Sequence, residues 1–129
     1  MIYVPINYGE LIDKITILQI KSENIADPTK LVNINNELTA LDKIVEAEEL
    51  RNRPNFNELV AELSAANREL WNLENRIREL MRPPIDQTAF VETGIRIHNT
   101  NDGRAAIKRR INLQWGSDLI EEKSYEELI

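Results

Sequence analysis

The sequence predicts an all-α fold: a bundle of three to four long helices, whose termini could pair as a short two-stranded ribbon. Leu59, Leu63, Ala66, Leu70, Leu73, Ile77 and Leu80 recur at alternating spacings of four and three, the seam of a helix packed lengthwise against others. Leu31, Ile34, Leu38, Leu41 and Val45 carry the same pattern ahead of it. Between and after these runs stand Asp27-Pro28, Arg53-Pro54, Pro83-Pro84 and Gly116, residues that start, stop or turn helices.

In chain order, Met1 to Ile6 alternates, with Ile2, Val4 and Ile6 on one side and Tyr3 and Pro5 on the other. That pattern predicts a strand, confined to an edge by Pro5. Asn7 caps the first helix, with Glu10 completing a capping box, and the helix runs to about Asn24. Leu11, Ile12, Ile15, Leu18 and Ile20 cover most of its circumference. Glu10, Asp13, Lys14 and Lys21 form its polar stripe, which Ile17 interrupts. Asp27-Pro28 restarts the chain as a second helix ending in Glu46, Glu48 and Glu49.

The third helix, Asn55 to Arg82, opens on a capping box of Asn55 and Glu58 and is roughly 40 Å long at 1.5 Å per residue. A second apolar row, Phe56, Val60 and Trp71 with Asn67 among them, lies beside its seam. Two apolar faces predict two neighbours, so this helix is expected at the centre of the bundle. Asp86 caps the fourth helix, whose apolar positions are Phe90, Ile97, Ala105, Ile107 and Ile111. His98 to Arg104 has no large apolar side chain; one long helix through it is favoured over a break at Thr100 and a restart from Asp102. Gly116 ends that helix, and Leu119 and Ile120 read as the second ribbon strand.

At 129 residues the chain is expected to form one domain, 1–129, able to bury a core without staples. It has no cysteine, so neither disulfides nor thiolate metal sites arise. The absence of a leader-like or membrane-length apolar run predicts a cytoplasmic protein with no membrane association. The formal charge of −6 argues against a general nucleic-acid binder. Arg96 to Arg110 holds five basic residues against Asp102, about +4, and leaves about −10 elsewhere. The Lys108-Arg109-Arg110 run has no interleaved aromatics and is a weak nucleic-acid footprint.

Val4-Pro5-Ile6-Asn7-Tyr8-Gly9-Glu10-Leu11-Ile12-Asp13-Lys14-Ile15-Thr16-Ile17-Leu18, Asn67 to Trp71, Thr100-Asn101-Asp102, Arg104-Ala105-Ala106, Lys108-Arg109-Arg110-Ile111-Asn112 and Glu121-Glu122-Lys123-Ser124-Tyr125 carry a resemblance. On these stretches the chain resembles a family of small bacterial proteins filed as a domain of unknown function. Gly103 and Trp115 depart from the family's pattern. The resemblance implies a bacterial or phage cytosolic protein and carries over no catalytic residue.

Polar groups on three helices could converge. Glu10, Asp13 and Lys14 share one helix face; Asn101, Asp102, Arg104 and Lys108 follow along the fourth helix; Asn67 and Trp71 share the second face of the third. Together they suit a small anionic ligand with a ring, such as a nucleotide or sugar phosphate, with arginine for phosphate and tryptophan for stacking. The competing reading makes the same charges salt bridges that stitch helices. Acid pairs Glu10/Asp13 and Glu46/Glu49 resemble the magnesium sites of all-helical nucleotide pyrophosphohydrolases. Their order in the chain is reversed, however, and each pair also has a role at a helix end, so no metal or other cofactor is assigned. The leading expectation is a non-catalytic binding or protein-interaction module. The alternative is a binder or enzyme for a small phosphorylated ligand, with magnesium. The apolar circumference of the first helix and the edge strand predict a homodimer, unless the segment Leu119 to Ile129 folds back to cover that helix.

Overall fold

A computed structural model describes residues 1–125 and contains four helices: α1 (Tyr8–Asn24), α2 (Pro28–Ala47), α3 (Phe56–Leu80) and α4 (Gln87–Gln114). A single 3₁₀ turn, Leu50–Asn52, joins α2 to α3. The all-α bundle expected from the sequence is the fold observed. Three predicted caps form: Asn7, Asp27 and Asp86 accept from the backbone N–H groups of Glu10, Thr29 and Ala89. Each meets a donor that the first helical turn leaves without a partner. α4 passes unbroken through His98 to Arg104, and a Cβ at Gly103 would meet nothing within 4 Å.

Three expectations are corrected. The terminal ribbon does not form: no strand occurs among the described residues, residues 1–7 carry no regular structure, and Leu119 and Ile120 are exposed. Alternation makes a segment competent for a strand, but a strand also needs a partner edge. The Asn55 capping box is also absent. Asn55 adopts a left-handed conformation (φ 56°) with no side-chain cap bond, and its amide donates instead to Gln114 Oε1 at 3.0 Å.

The third correction concerns the centre of the bundle. α1 packs on each of α2, α3 and α4, whereas among the described helical elements α2 packs on α1 and the 3₁₀ turn alone. The central helix is therefore α1, and its apolar circumference is covered within the chain. α3 and α4 pack along one another as its long neighbours. The core gathers Leu11, Ile12, Ile15, Val45, Leu50, Leu59, Leu63, Ile111 and Trp115. Trp115 stacks on Phe56, with ring centroids 5.6 Å apart, and donates from Nε1 to the Pro54 carbonyl at 2.8 Å. A buried indole thus has both its apolar body and its single donor satisfied.

Candidate functional site

The start of α1 is held by α4 and by the turn that follows it. Gly9 N donates to Asn112 Oδ1 at 2.7 Å and Tyr8 N to Ser117 Oγ at 3.4 Å. A Cβ on Gly9 would sit 2.6 Å from the Lys108 carbonyl oxygen, so only glycine permits this approach. That close crossing brings the α1 face carrying Glu10, Asp13 and Thr16 against the α4 face carrying Arg104 and Lys108.

Asp13 is the centre of the arrangement and is 1% exposed. Arg104 grips it with two nitrogens, Nε 2.9 Å from Oδ1 and Nη2 on Oδ2. Asn67 Nδ2, from α3, donates to Asp13 Oδ1 and to Thr16 Oγ1, both at 2.9 Å. Thr16 in turn donates to the Asp13 carbonyl. Lys108 Nζ lies 2.8 Å from Glu10 Oε2, 3.5 Å from Asp13 Oδ2 and 3.9 Å from Glu121 Oε2. Burial pushes the Asp13 carboxyl up, but its bonds to Arg104 and Asn67 and the charges of Arg104 and Lys108 outweigh that and hold it below its ordinary value. The Asp13 bonds raise the Arg104 guanidinium in return. Among the described residues no buried side-chain nitrogen or oxygen lacks a hydrogen-bond partner.

Of the nine residues singled out by sequence, Glu10, Asp13, Asn67, Asn101, Arg104 and Lys108 come together, with Asn101 Oδ1 accepting from Arg104 Nη1 at 3.3 Å. Two do not join them. Lys14 points to α2, where it lies 3.8 Å from Glu37, because adjacent helical residues face about 100° apart. Asp102 is exposed and faces His98 at 3.7 Å. The acid pairs Glu10/Asp13 and Glu46/Glu49 do not converge: no group of three or more acidic or histidine side chains among the described residues could hold a metal ion.

Trp71, the ninth, stands on the wall of a cleft beside the network. This cleft, about 390 Å³, opens between α1, α3 and α4. Ile17, Ile20 and Leu70 supply its apolar surface, and Asn67, Asn101 and Arg104 join it to the ion network. Arg78 and Glu74, on its rim, are paired at 2.9 Å. The isoleucine that interrupts the polar stripe of α1 therefore faces this cleft. Two members of the site escape the sequence reading, Thr16 and Glu121. Thr16 stands three residues after Asp13, the spacing that places both on one helix face; Glu121 lies in the Glu121-Tyr125 stretch but in no helix pattern.

A family model described as a family of unknown function (DUF6165) matches residues 2–129. The chain belongs to that family. No curated protein and no solved structure gives a significant match. In this DUF6165 chain no helix is long and apolar enough to cross a membrane, among the described residues.

Proposed function

We propose that the protein is a non-catalytic binding module, whose site is the cleft between α1, α3 and α4. One observation carries this reading: every charged group a reaction would draw on is already paired, while the apolar cleft beside it stands open. Asp13 is held ionised by Arg104, Asn67 and Lys108 and is a poor base. Arg104 and Lys108 are matched to Asp13 and Glu10, and Arg78 to Glu74. The cleft is therefore close to charge-neutral, which disfavours a highly charged phosphate. Its volume falls within the range of small-molecule sites, and its mix of apolar floor and few polar groups is typical of them. Trp71 offers a stacking face, and Asn101 and the outer guanidinium nitrogens of Arg104 offer donors. A small ring-bearing ligand with acceptor atoms on one edge fits that chemistry.

The test is a nuclear magnetic resonance titration with ring-bearing fragments, half of them phosphorylated, read at the two tryptophan indoles. Trp115 is buried and serves as the internal control. Uncharged fragments are expected to shift the Trp71 signal alone, and Trp71→Ala to abolish their binding. Fragments that never move Trp71 would sink the reading. Binding confined to phosphorylated ones would favour the phosphorylated-ligand alternative, with Arg104 and Lys108 released from their carboxylates.

A further inference from the structure

Residues 1–6 form an arm with no hydrogen-bonded partner among the described residues. Met1, Ile2, Tyr3 and Val4 are 100%, 89%, 86% and 67% exposed, and none of the arm's backbone groups takes part in a hydrogen bond among the described residues. Between this arm and the neighbouring helices lies a groove of about 710 Å³. Leu11, Leu41, Ile44 and Leu50 give it an apolar lining, and the charges of Lys14, Lys43 and Glu48 border it. An apolar segment with free backbone edges is a surface that other chains pair with, and Ile44, 43% exposed where Leu11 and Leu50 are buried, adds to the apolar surface left in water there.

We propose that the occupant of this groove is the arm of a second copy, exchanged reciprocally about a two-fold axis. Self-complementarity points to that occupant. Arm and groove belong to one surface, so each copy supplies both the segment that enters and the cleft that receives it, and the contact closes at two. The alternation of Ile2, Val4 and Ile6 suits an antiparallel pairing of the two arms, with one side of each facing the apolar lining. The size is sufficient. Three inward side chains per arm at roughly 100 Å² each, matched by the groove and doubled by symmetry, reach roughly 1,200 Å², the lower end of stable interfaces. The groove lies apart from the ligand cleft on α3 and α4, so neither proposal depends on the other.

The experiment is light scattering of the full chain across concentration, beside Ile2→Glu/Val4→Glu in the arm and Ile44→Glu in the groove. Both sets of positions are exposed, so helical circular dichroism is expected to be unchanged in either variant. One chain is 15.0 kDa. The native chain is expected to scatter at twice that mass, and each variant at least a hundredfold less able to dimerise. A native monomer at high concentration would assign the groove to another occupant and overturn the proposal. A dimer that survives both variants would also overturn it, by placing the interface elsewhere.

Discussion

Arg104 on α4 and Asp13 on α1, 91 residues apart in sequence, are joined by two parallel hydrogen bonds in the interior of the bundle. The pair exchanges hydration for geometry: a buried carboxylate is tolerated only because a planar fork meets both of its oxygens. Removing one partner leaves the other charge uncompensated. Arg104→Gln with Lys108→Gln is therefore expected to lower stability by about 3–5 kcal/mol. Asp13→Leu combined with Arg104→Leu is expected to cost clearly less than the two single changes added, since no orphan charge remains. Urea denaturation of the native chain, both single leucine variants and their double measures this, and strict additivity would mean that the pair is not coupled.

The same carboxylate sets a pH dependence. Its folded value lies below that of an ordinary aspartate, so as pH falls the unfolded chain takes up the proton first. Asp13's contribution is fully present above about pH 4 and is lost as pH falls through the lower folded value. Denaturation midpoints of the native chain are expected to drop steeply below about pH 4. Asp13→Asn is expected to be less stable at neutral pH and to show a shallower acid slope. Parallel acid slopes for the two proteins would contradict this.

Two glycines on facing helices predict opposite results from one substitution. Gly9→Ala places a methyl 2.6 Å from the Lys108 carbonyl, and separating α1 from α4 is expected to cost about 1–3 kcal/mol. Gly103→Ala places its methyl in open space within α4 and is expected to stabilise by about 0.5–1 kcal/mol. Thermal melting of both variants checks the sign in each case.

The α3 seam gives a prediction for the core. Leu70 and Leu73 are buried, and Leu70→Ala or Leu73→Ala is expected to cost about 2–5 kcal/mol. Leu70 also lines the cleft, which leaves its neighbours freer to relax, so Leu73→Ala is expected to cost more. Equal, near-native urea midpoints for both would contradict the seam.

What the sequence reveals and conceals follows from the range of each interaction. Helix starts at Asn7, Asp27 and Asp86 are legible because capping depends on residues only a few positions apart. Asn55 looks the same, yet its left-handed backbone is set by the turn from Arg53-Pro54 and by Gln114 on another helix. Seam periodicity reveals that α3 is amphipathic but not how many helices surround it. The broad apolar circumference of α1 is the better sign of a central helix. The site is legible as residue types on helical faces, because Asp13, Arg104 and Lys108 have few other reasons to share a bundle. Which face Lys14 takes, and that Glu121 reaches Lys108, depend on helix placement and on a segment without periodicity. The alternative to a dimer, a return of Leu119 to Ile129 over α1, falls in part on residues 126–129, which lie outside the described residues. Glu121 and Glu122 contact Lys108 and Arg109 of α4.

Asn67 offers the sharpest test of the network, because one change of atom type should invert its pH response. Its amide nitrogen donates to both Asp13 Oδ1 and Thr16 Oγ1 at 2.9 Å, and Asn67 is 5% exposed. Asn67→Asp keeps the shape but replaces that donor with a second carboxylate against the first. Two buried carboxylates at this distance cannot both ionise cheaply, so the pair holds one proton to a higher pH than either would alone. A group whose folded pKa is raised stabilises once protonated, and that stability is lost as pH rises through the raised value. The variant is therefore expected to be weak near neutral pH and to gain stability as pH is lowered towards about 5, where the introduced carboxyl, once protonated, can donate as the amide did. The native chain gains nothing over that interval from this pair of residues. Melting temperatures at about pH 7, 6 and 5 for both proteins decide it. A variant that loses stability in step with the native chain would show that Asn67 does not donate to Asp13, and that the carboxylate is held by Arg104 and Lys108 alone.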